Sequence, residues 1–445
     1  MVIIAEIGTA HGGAKDKAAR LIDAAAHAGA DAVKFQWVYA DEILHPDTGM
    51  VQLPGGAVRL YDRFKQLEVP EEFFDFCKNY AHRQGLLFMC SPFGLRSLAG
   101  LAAIKPDAIK IASPEVNHTP LLRAASEFYG KIPLVLSSGV STLGDIERAV
   151  TALTDCTTFL ADQNKMPNQK AEYKQEPKPC ALASIVPDVT SVQNQNDYSM
   201  KNPCGASAET VGSPIQKNKT SLAPLTLLHC ITSYPAPETE YNVRCIKTLS
   251  DIFGLPTGIS DHSLDPVLIP VLTTAMGGTM VEKHITLSRK TDGLDDPVAL
   301  EPEQFSLMVH AVHQTEAIVK RWKREVSALC GAAATTTPPE ALKAIFNQLF
   351  QSYPQNTVLA ALGTGRKSLA ASEQRNYGRT NRSLHYLHSM QPGERIGEHD
   401  IAVLRTEKIL TPGISPDFLE TVIGCVLQRQ VSQGSGVQWD DVLAR

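Results

Sequence analysis

Short apolar runs alternate with amphipathic stretches from the first residue onward. The runs are VIIAEIG (2–8), AVKFQ (32–36), LLFMCSPF (86–93), AIKIAS (108–113), PLVLSSG (133–139), LTLLHC (225–230), PTGISDH (256–262) and MVEKHIT (280–286). Between them KAARLIDAAAHAG and EEFFDFCKNYAHRQG carry apolar residues at helical spacing of three and four. Gly29, Gly85 and Gly130 follow such stretches as helix stops. Strands alternating with helices predict a parallel sheet. Eight such units predict a closed (β/α)8 TIM barrel within an α/β fold class, with a doubly wound open sheet as the structural alternative. The first strand is followed by no GxGxxG string, which counts against a dinucleotide fold.

Two segments break this rhythm. Residues 157–222 are rich in Gln, Asn, Lys, Ser and Pro, without sustained period, and read as a largely disordered insertion. Residues 327–374 read as a linker with one helical patch, ALKAIFNQLF. After it, RSLHYLHSM, the turn QPGERI and IAVLRTEKILTPGISPDFLETVIGCVL suggest a small β-rich module. The expected organisation is a barrel domain over 1–326, the linker over 327–374 and the small domain over 375–445.

A length of 445 residues suits a barrel plus a smaller domain, and 43% hydrophobic residues suffice for a large core. A net charge of −5 shows no basic excess, so a nucleic-acid partner is not expected. No apolar run approaches a membrane span. The opening MVIIAEIG lacks the basic leader of a signal peptide and reads as a strand. Nine scattered cysteines without a CxxC pair read as reduced thiols, hence a cytoplasmic location. Cys90, Cys230 and Cys245 read as core packing.

In a parallel barrel the chemistry sits at the carboxyl ends of the strands. Those ends are polar in every run. They offer Glu6 with His11 beyond it, Lys34 and Gln36, Ser91, and Lys110 and Ser113 followed by Glu115 and Asn117. They continue with Ser137 and Ser138, His229 with Tyr234, then Ser260, Asp261 and His262, and finally Glu282 and His284. Lys34 and Lys110 stand inside apolar strands, where a buried ammonium needs a partner. They read as a phosphate and carboxylate clamp, as structural ion pairs with Glu6 and Glu115, or as a Schiff-base lysine. His262 and His284, on neighbouring staves, read as ligands of one divalent metal.

The same residues lie in strings that resemble the sialic acid synthase family. These are AEIGTAHGG, AGADAVKFQ, CSPF, IKIASPEVNHTPLL, VLSSGVSTLGDI, LLHCITSYPAP, GISDHS and VEKHITL, in that order. RSL, PGERI and the LR and PGISP strings resemble that family's C-terminal SAF domain, the antifreeze-like β-clip module. The resemblance implies condensation of phosphoenolpyruvate with an N-acylated amino sugar, N-acetylmannosamine or a related hexose, and water. The products would be a nonulosonic acid and phosphate. It implies Mn2+, Mg2+ or Co2+ held by His262 and His284, and phosphoenolpyruvate held by Lys34, Ser91, Lys110, Ser113, Ser137 and Ser260. Glu6, Glu115 and Tyr234 would be catalytic, and Arg405 would bind the acyl group across a domain-swapped homodimer. Three departures bear on the sugar: Ala10 before His11, Thr232 in the loop after the sixth strand, and GLDDPVALEPEQF after the eighth. A non-catalytic sugar-binding protein of polysaccharide or envelope assembly and a Schiff-base aldolase are the alternative functions.

Overall fold

A computed structural model of the chain describes residues 1–53, 56–154, 222–291, 293–330, 335–407 and 409–443. Nearly all of the insertion expected over 157–222 lies outside the described residues. The strands in chain order are β1 (Val2–Gly8), β2 (Ala32–Trp37), β3 (Met50–Leu53), β4 (Gly56–Arg59), β5 (Leu87–Pro92) and β6 (Ala108–Ile111). They continue with β7 (Leu134–Ser137), β8 (Leu225–Cys230), β9 (Thr257–Asp261), β10 (Met280–His284), β11 (Arg382–Tyr386) and β12 (Ile401–Arg405). Eight of them close a parallel barrel in the order β1-β2-β5-β6-β7-β8-β9-β10, as the alternation predicts. The antiparallel hairpin β3-β4 is an addition after β2 that periodicity did not reveal.

The wall forms because parallel strands are buried on both faces, so they are nearly continuous apolar runs. The helix Lys15–Ala28 illustrates the outer layer. Its buried face is Ala18, Leu21, Ile22, Ala25 and Ala28, and Gly29 ends it at φ 92, where its N–H reaches Ala26 O at 3.0 Å. Inside, Ile4, Ala32, Met89, Ala108, Val135, Leu228 and Met280 cluster as an apolar floor. On β9 the corresponding position is Gly258, where a Cβ would sit 2.2 Å from Met280 O, so no larger residue fits. Because side chains alternate along a strand, the next inward layer lies two residues on from this floor. That layer is Glu6, Lys34, Ser91, Lys110, Ser137, Cys230, Ser260 and Glu282, all lining one pocket.

The stretch expected as a linker is largely part of the wall. The helix Pro302–Cys330 packs on the helices Leu268–Ala275 and Lys15–Ala28. Two further helices, Pro339–Ser352 and Gln355–Leu362, bury Leu342, Ile345, Leu349, Val358, Ala361 and Leu362 in the barrel's outer core. Residues 339–362 contain two helices where one patch was read. The reason is amphipathic: ALKAIFNQLF presents an apolar stripe that only a neighbouring helix can cover. The C-terminal module has its own core of Leu384, Tyr386, Met390, Ile396, Ile401, Val422, Leu427, Val431 and Val437 around the antiparallel pair β11-β12. Cys77, Cys90, Cys230, Cys245 and Cys425 are free thiols. Among the described residues no helix is long and apolar enough to cross a membrane.

Ile345→Ala separates a wall helix from a linker helix. With Ile345 1% exposed, removing its side chain should cost about 2–4 kcal/mol in a urea titration. A change near zero would show that this helix is not part of the folded wall.

Candidate active site

Period-two alternation on each stave carries polar groups into the mouth of the barrel. Glu6, Lys34, Ser91, Lys110, Ser113, Ser137, Tyr234, Ser260, His262 and His284 all line one pocket at the carboxyl ends of the strands. Glu282 joins them, although the sequence reading assigned it no role. The signal was available, because Glu282 and His284 are two apart on β10 and therefore share a face.

Glu282 decides the electrostatics. Its carboxylate receives Lys110 Nζ at 2.8 and 3.0 Å, Ser260 Oγ at 2.9 Å, and lies 3.4 Å from Lys34 Nζ. Lys34 Nζ is also 3.2 Å from Glu6 and 3.4 Å from Ser91 Oγ. The partner of Lys110 is thus Glu282, where the ion-pair reading of the two lysines offered Glu6 and Glu115. Burial would push Glu282 upward, but Lys110 and Lys34 together hold it well below the usual carboxylate range. Burial pulls Lys34 down, yet Glu282 and Glu6 lift it above its ordinary value. Burial prevails at Lys110, which has one carboxylate partner and the Lys34 charge beside it. The contacts of Lys34 are all longer than a charge-assisted bond of about 2.7–2.9 Å. Its ammonium is shared among Glu6, Glu282 and Ser91. Ser137 Oγ is buried with no partner among the described residues.

Above this layer stand the two histidines, ring centroids 5.7 Å apart. His262 Nδ1 faces Ile231 O at 2.7 Å, so Nδ1 carries a proton; burial would lower this ring, but Cys230, the Ile231 carbonyl and Asp261 raise it above its ordinary value. Burial lowers His284, which favours the neutral ring. Tyr234 stacks on His262 at 4.2 Å and is 51% exposed, a rim position. Behind the wall, Lys283 Nζ donates to Asp261 at 2.6 Å and to Ser263 O at 2.7 Å, tying the two histidine-bearing staves together. The divergent GLDDP stretch folds against the rim, with the Asp295 carboxylate 3.9 Å from His284 Nδ1. His229 is a core group: its Nε2 meets Tyr241 O at 2.6 Å, and burial lowers it to about 3.

Glu115 and Arg405 stand apart from the pocket lining. Glu115 is fully buried, and its two oxygens bind Arg382 and Arg405 of the C-terminal module. Burial would raise this carboxyl, but the two guanidiniums lower it. Arg382, which the sequence reading did not single out, also donates to Glu42 O at 2.5 Å and Phe93 O at 2.7 Å. Arg405 lies 5.3 Å over the ring of Phe93, a pocket residue, and its Nε is buried with no acceptor among the described residues. The module therefore caps the mouth of its own barrel in the single chain.

A closed barrel with this layered mouth and this cap defines the class. The chain belongs to the NeuB family, which residues 21–324 match, and residues 381–443 match the SAF domain. It is an enzyme of that family, whose members include acid synthases. The chain is 27% identical to the spore coat polysaccharide biosynthesis protein SpsE of Bacillus subtilis, over 100% of this chain and 94% of that protein. It is 24% identical to the N,N'-diacetyllegionaminic acid synthase of Legionella pneumophila, over 99% and 94%. The crystal structure of the Bacillus subtilis SpsE protein matches with a TM-score of 0.67 and 25% identity, covering 100% of this chain and 95% of that one.

Glu115→Gln should loosen the cap. The change leaves the fully buried Arg382 charge less compensated, at a cost of about 3–5 kcal/mol. The folded Glu115 lies below its unfolded value, so its contribution is complete above the unfolded carboxylate range, near pH ~4.3. It is lost as pH falls through the lowered folded value. Urea midpoints of wild type and variant should therefore differ most near neutrality and converge in acid. A difference that grows on acidification would show that Glu115 is not held as the charged form.

Proposed function

We propose that the chain condenses phosphoenolpyruvate with an open-chain N-acylated amino sugar, N-acetylmannosamine or a related hexose, and water. The products are a nonulosonic acid and phosphate. The observation that carries this reading is the polar layer: two buried ammoniums flanked by serine hydroxyls, set beneath a pair of histidines. A trianion needs several cations and neutral donors converging from different directions, and separate staves supply them. The names of the relatives, acid synthases of nine-carbon sugars among them, agree with it.

Lys34 and Lys110, with Ser91, Ser137 and Ser260, hold the phosphate and carboxylate and keep C3 pointed at the aldehyde. The new bond joins C3 to the aldehyde carbon, whose oxygen takes up the proton that Glu6 removes from the water added at C2. Water then adds to C2. Gln36 Nε2 donates to Glu6 Oε1 at 2.8 Å, which aims that carboxylate. Glu6 takes the proton from the attacking water. The tetrahedral intermediate expels phosphate by C–O cleavage and leaves the ketone. Tyr234 covers the rim, and Arg405 offers its free Nε–H to the acyl oxygen. Glu115, expected to be catalytic, is here the docking post that places Arg405 at the mouth.

The donor set fits a divalent metal, Mn2+, Mg2+ or Co2+, held by His262 and His284. Burial favours the neutral ring of His284, and His262, with Nδ1 engaged by Ile231 O, would present Nε2 to an ion on losing its second proton. Among the described residues no group of three or more His, Cys, Asp and Glu is placed to hold a metal, so the other positions would fall to water or substrate oxygens. When bound, such an ion supplies Lewis-acid polarisation of the aldehyde.

The expected homodimer with exchanged tails is proposed in one form. The segment 363–381 is hydrogen-bonded to the barrel mouth, so exchange would carry that segment along with the module. Co-expressing Arg405→Ala with Lys110→Met tests it: recovered activity shows exchange, and a proven heterodimer without recovery shows that each cap serves its own barrel.

The decisive assay mixes phosphoenolpyruvate with N-acetylmannosamine, its 6-phosphate and a diacetamido hexose in the presence of manganese. Phosphate release and product mass are read. One acceptor should give a product heavier by the pyruvyl unit, and chelator should abolish it. Lys110→Met should raise KM for phosphoenolpyruvate about tenfold or more, the loss of a charge-assisted bond of roughly 1.5–3 kcal/mol, and leave the sugar KM nearly unchanged. Turnover in excess chelator, or equal rises in both constants, would sink the assignment of metal or of clamp respectively.

A further inference from the structure

Residues 363–381, between the last wall helix and β11, form only one short turn of regular structure, yet they are stitched to the barrel mouth. Glu373 is 1% exposed and aims its carboxylate at two loops at once. Its Oε2 accepts the backbone N–H of Val140, after β7, at 2.9 Å and that of Thr232, after β8, at 2.8 Å. Its Oε1 accepts Ala370 N–H at 3.2 Å. Asn381 donates to Val140 O at 3.1 Å, and Asn376 to Thr232 O at 2.8 Å. Val140 and Thr232 are thus each gripped at N–H and C=O by the same segment. Lys367 Nζ adds a bond to Ser138 O at 2.9 Å.

Val140 has a φ of +43, a conformation that costs a β-branched residue on the order of 1–3 kcal/mol and persists only where neighbours impose it. The grip of the connector is such an imposition. The residue before it, Gly139, donates its N–H to Ser113 Oγ at 3.0 Å. Two residues earlier lies Ser137, whose buried hydroxyl has no partner among the described residues. A relaxation of Val140 would move Gly139, release Ser113 and re-aim Ser137.

We propose that Glu373 is a positioning residue of the anion site, clasping the loops after β7 and β8 so that Ser113 and Ser137 face the bound phosphate and carboxylate. The inference rests on the reading of the pocket as a phosphoenolpyruvate site. It makes the segment between barrel and cap a component of substrate binding, where a tether would have none.

The test uses full-length chains: wild type, Glu373→Ala and Glu373→Gln. Phosphoenolpyruvate binding is measured by calorimetry without sugar, manganese binding by titration, and backbone protection over residues 137–141 by hydrogen exchange. Glu373→Ala should weaken phosphoenolpyruvate binding about tenfold or more, speed exchange in that loop, and leave manganese affinity within about twofold. Glu373→Gln keeps one acceptor oxygen and should recover most of the affinity. Wild-type affinity in Glu373→Ala overturns the inference, as does unchanged exchange. A parallel loss of both affinities with a collapsed melting transition also overturns it, because Glu373 would then be a general support of the fold. If wild type itself fails to bind phosphoenolpyruvate, the reading of the pocket falls and the inference with it. An unaltered variant beside a binding wild type removes the inference alone.

Discussion

Two ammonium groups can share one buried layer of a barrel only if a carboxylate lies between them. Glu282 is that carboxylate, bonded to Lys110 and within 3.4 Å of Lys34. With Glu6 it balances the layer to neutrality, so the desolvation cost of four charges is offset by their mutual attraction. Neither lysine is unpaired, and Lys34 is held by longer contacts than Lys110. The apolar floor two residues below and the histidine rim two residues above depend on the same register. A one-residue slip of any stave would exchange polar and apolar layers across the wall.

A second constraint joins the cap to this layer. Glu115 leaves the barrel just beyond β6, and its two oxygens are filled by Arg382 and Arg405, which stand at paired positions of β11 and β12. One buried carboxylate therefore sets the orientation of the whole antiparallel pair over the mouth. Arg405 is delivered to Phe93 and the pocket edge as a result. The connector reaches the same face through Glu373, so the mouth is built from three parts of the chain far apart in sequence: barrel loops, connector and cap.

Much of the site was legible because a closed barrel has a strong geometric rule: polar residues at strand ends meet at one face. Lys34 in AVKFQ, Lys110 in AIKIAS and the two histidines needed no more than that rule and the period of two. Glu6 was legible as a partner of Lys34, but the partner of Lys110 was not. Lys110 could have paired with any carboxylate on the opposite staves, and the choice of Glu282 over Glu115 depends on which side chains cross the barrel axis. Residues 339–362 were misread as mostly linker because a short amphipathic patch looks the same whether it packs on its own barrel or on nothing. Glu373, in an aperiodic stretch, gave no local signal at all.

The sequence by itself determined the strand and helix rhythm, the closure into a barrel, the small C-terminal module and most of the residues that line the mouth. These follow from local periodicity and from the fixed sidedness of a strand. Only the tertiary structure decided that Glu282 neutralises the two lysines, that Glu115 serves the cap, and that the connector grips Val140 and Thr232. Those are contacts between residues more than a hundred positions apart. No local pattern encodes them, because they are set by the distances left when the whole wall has packed.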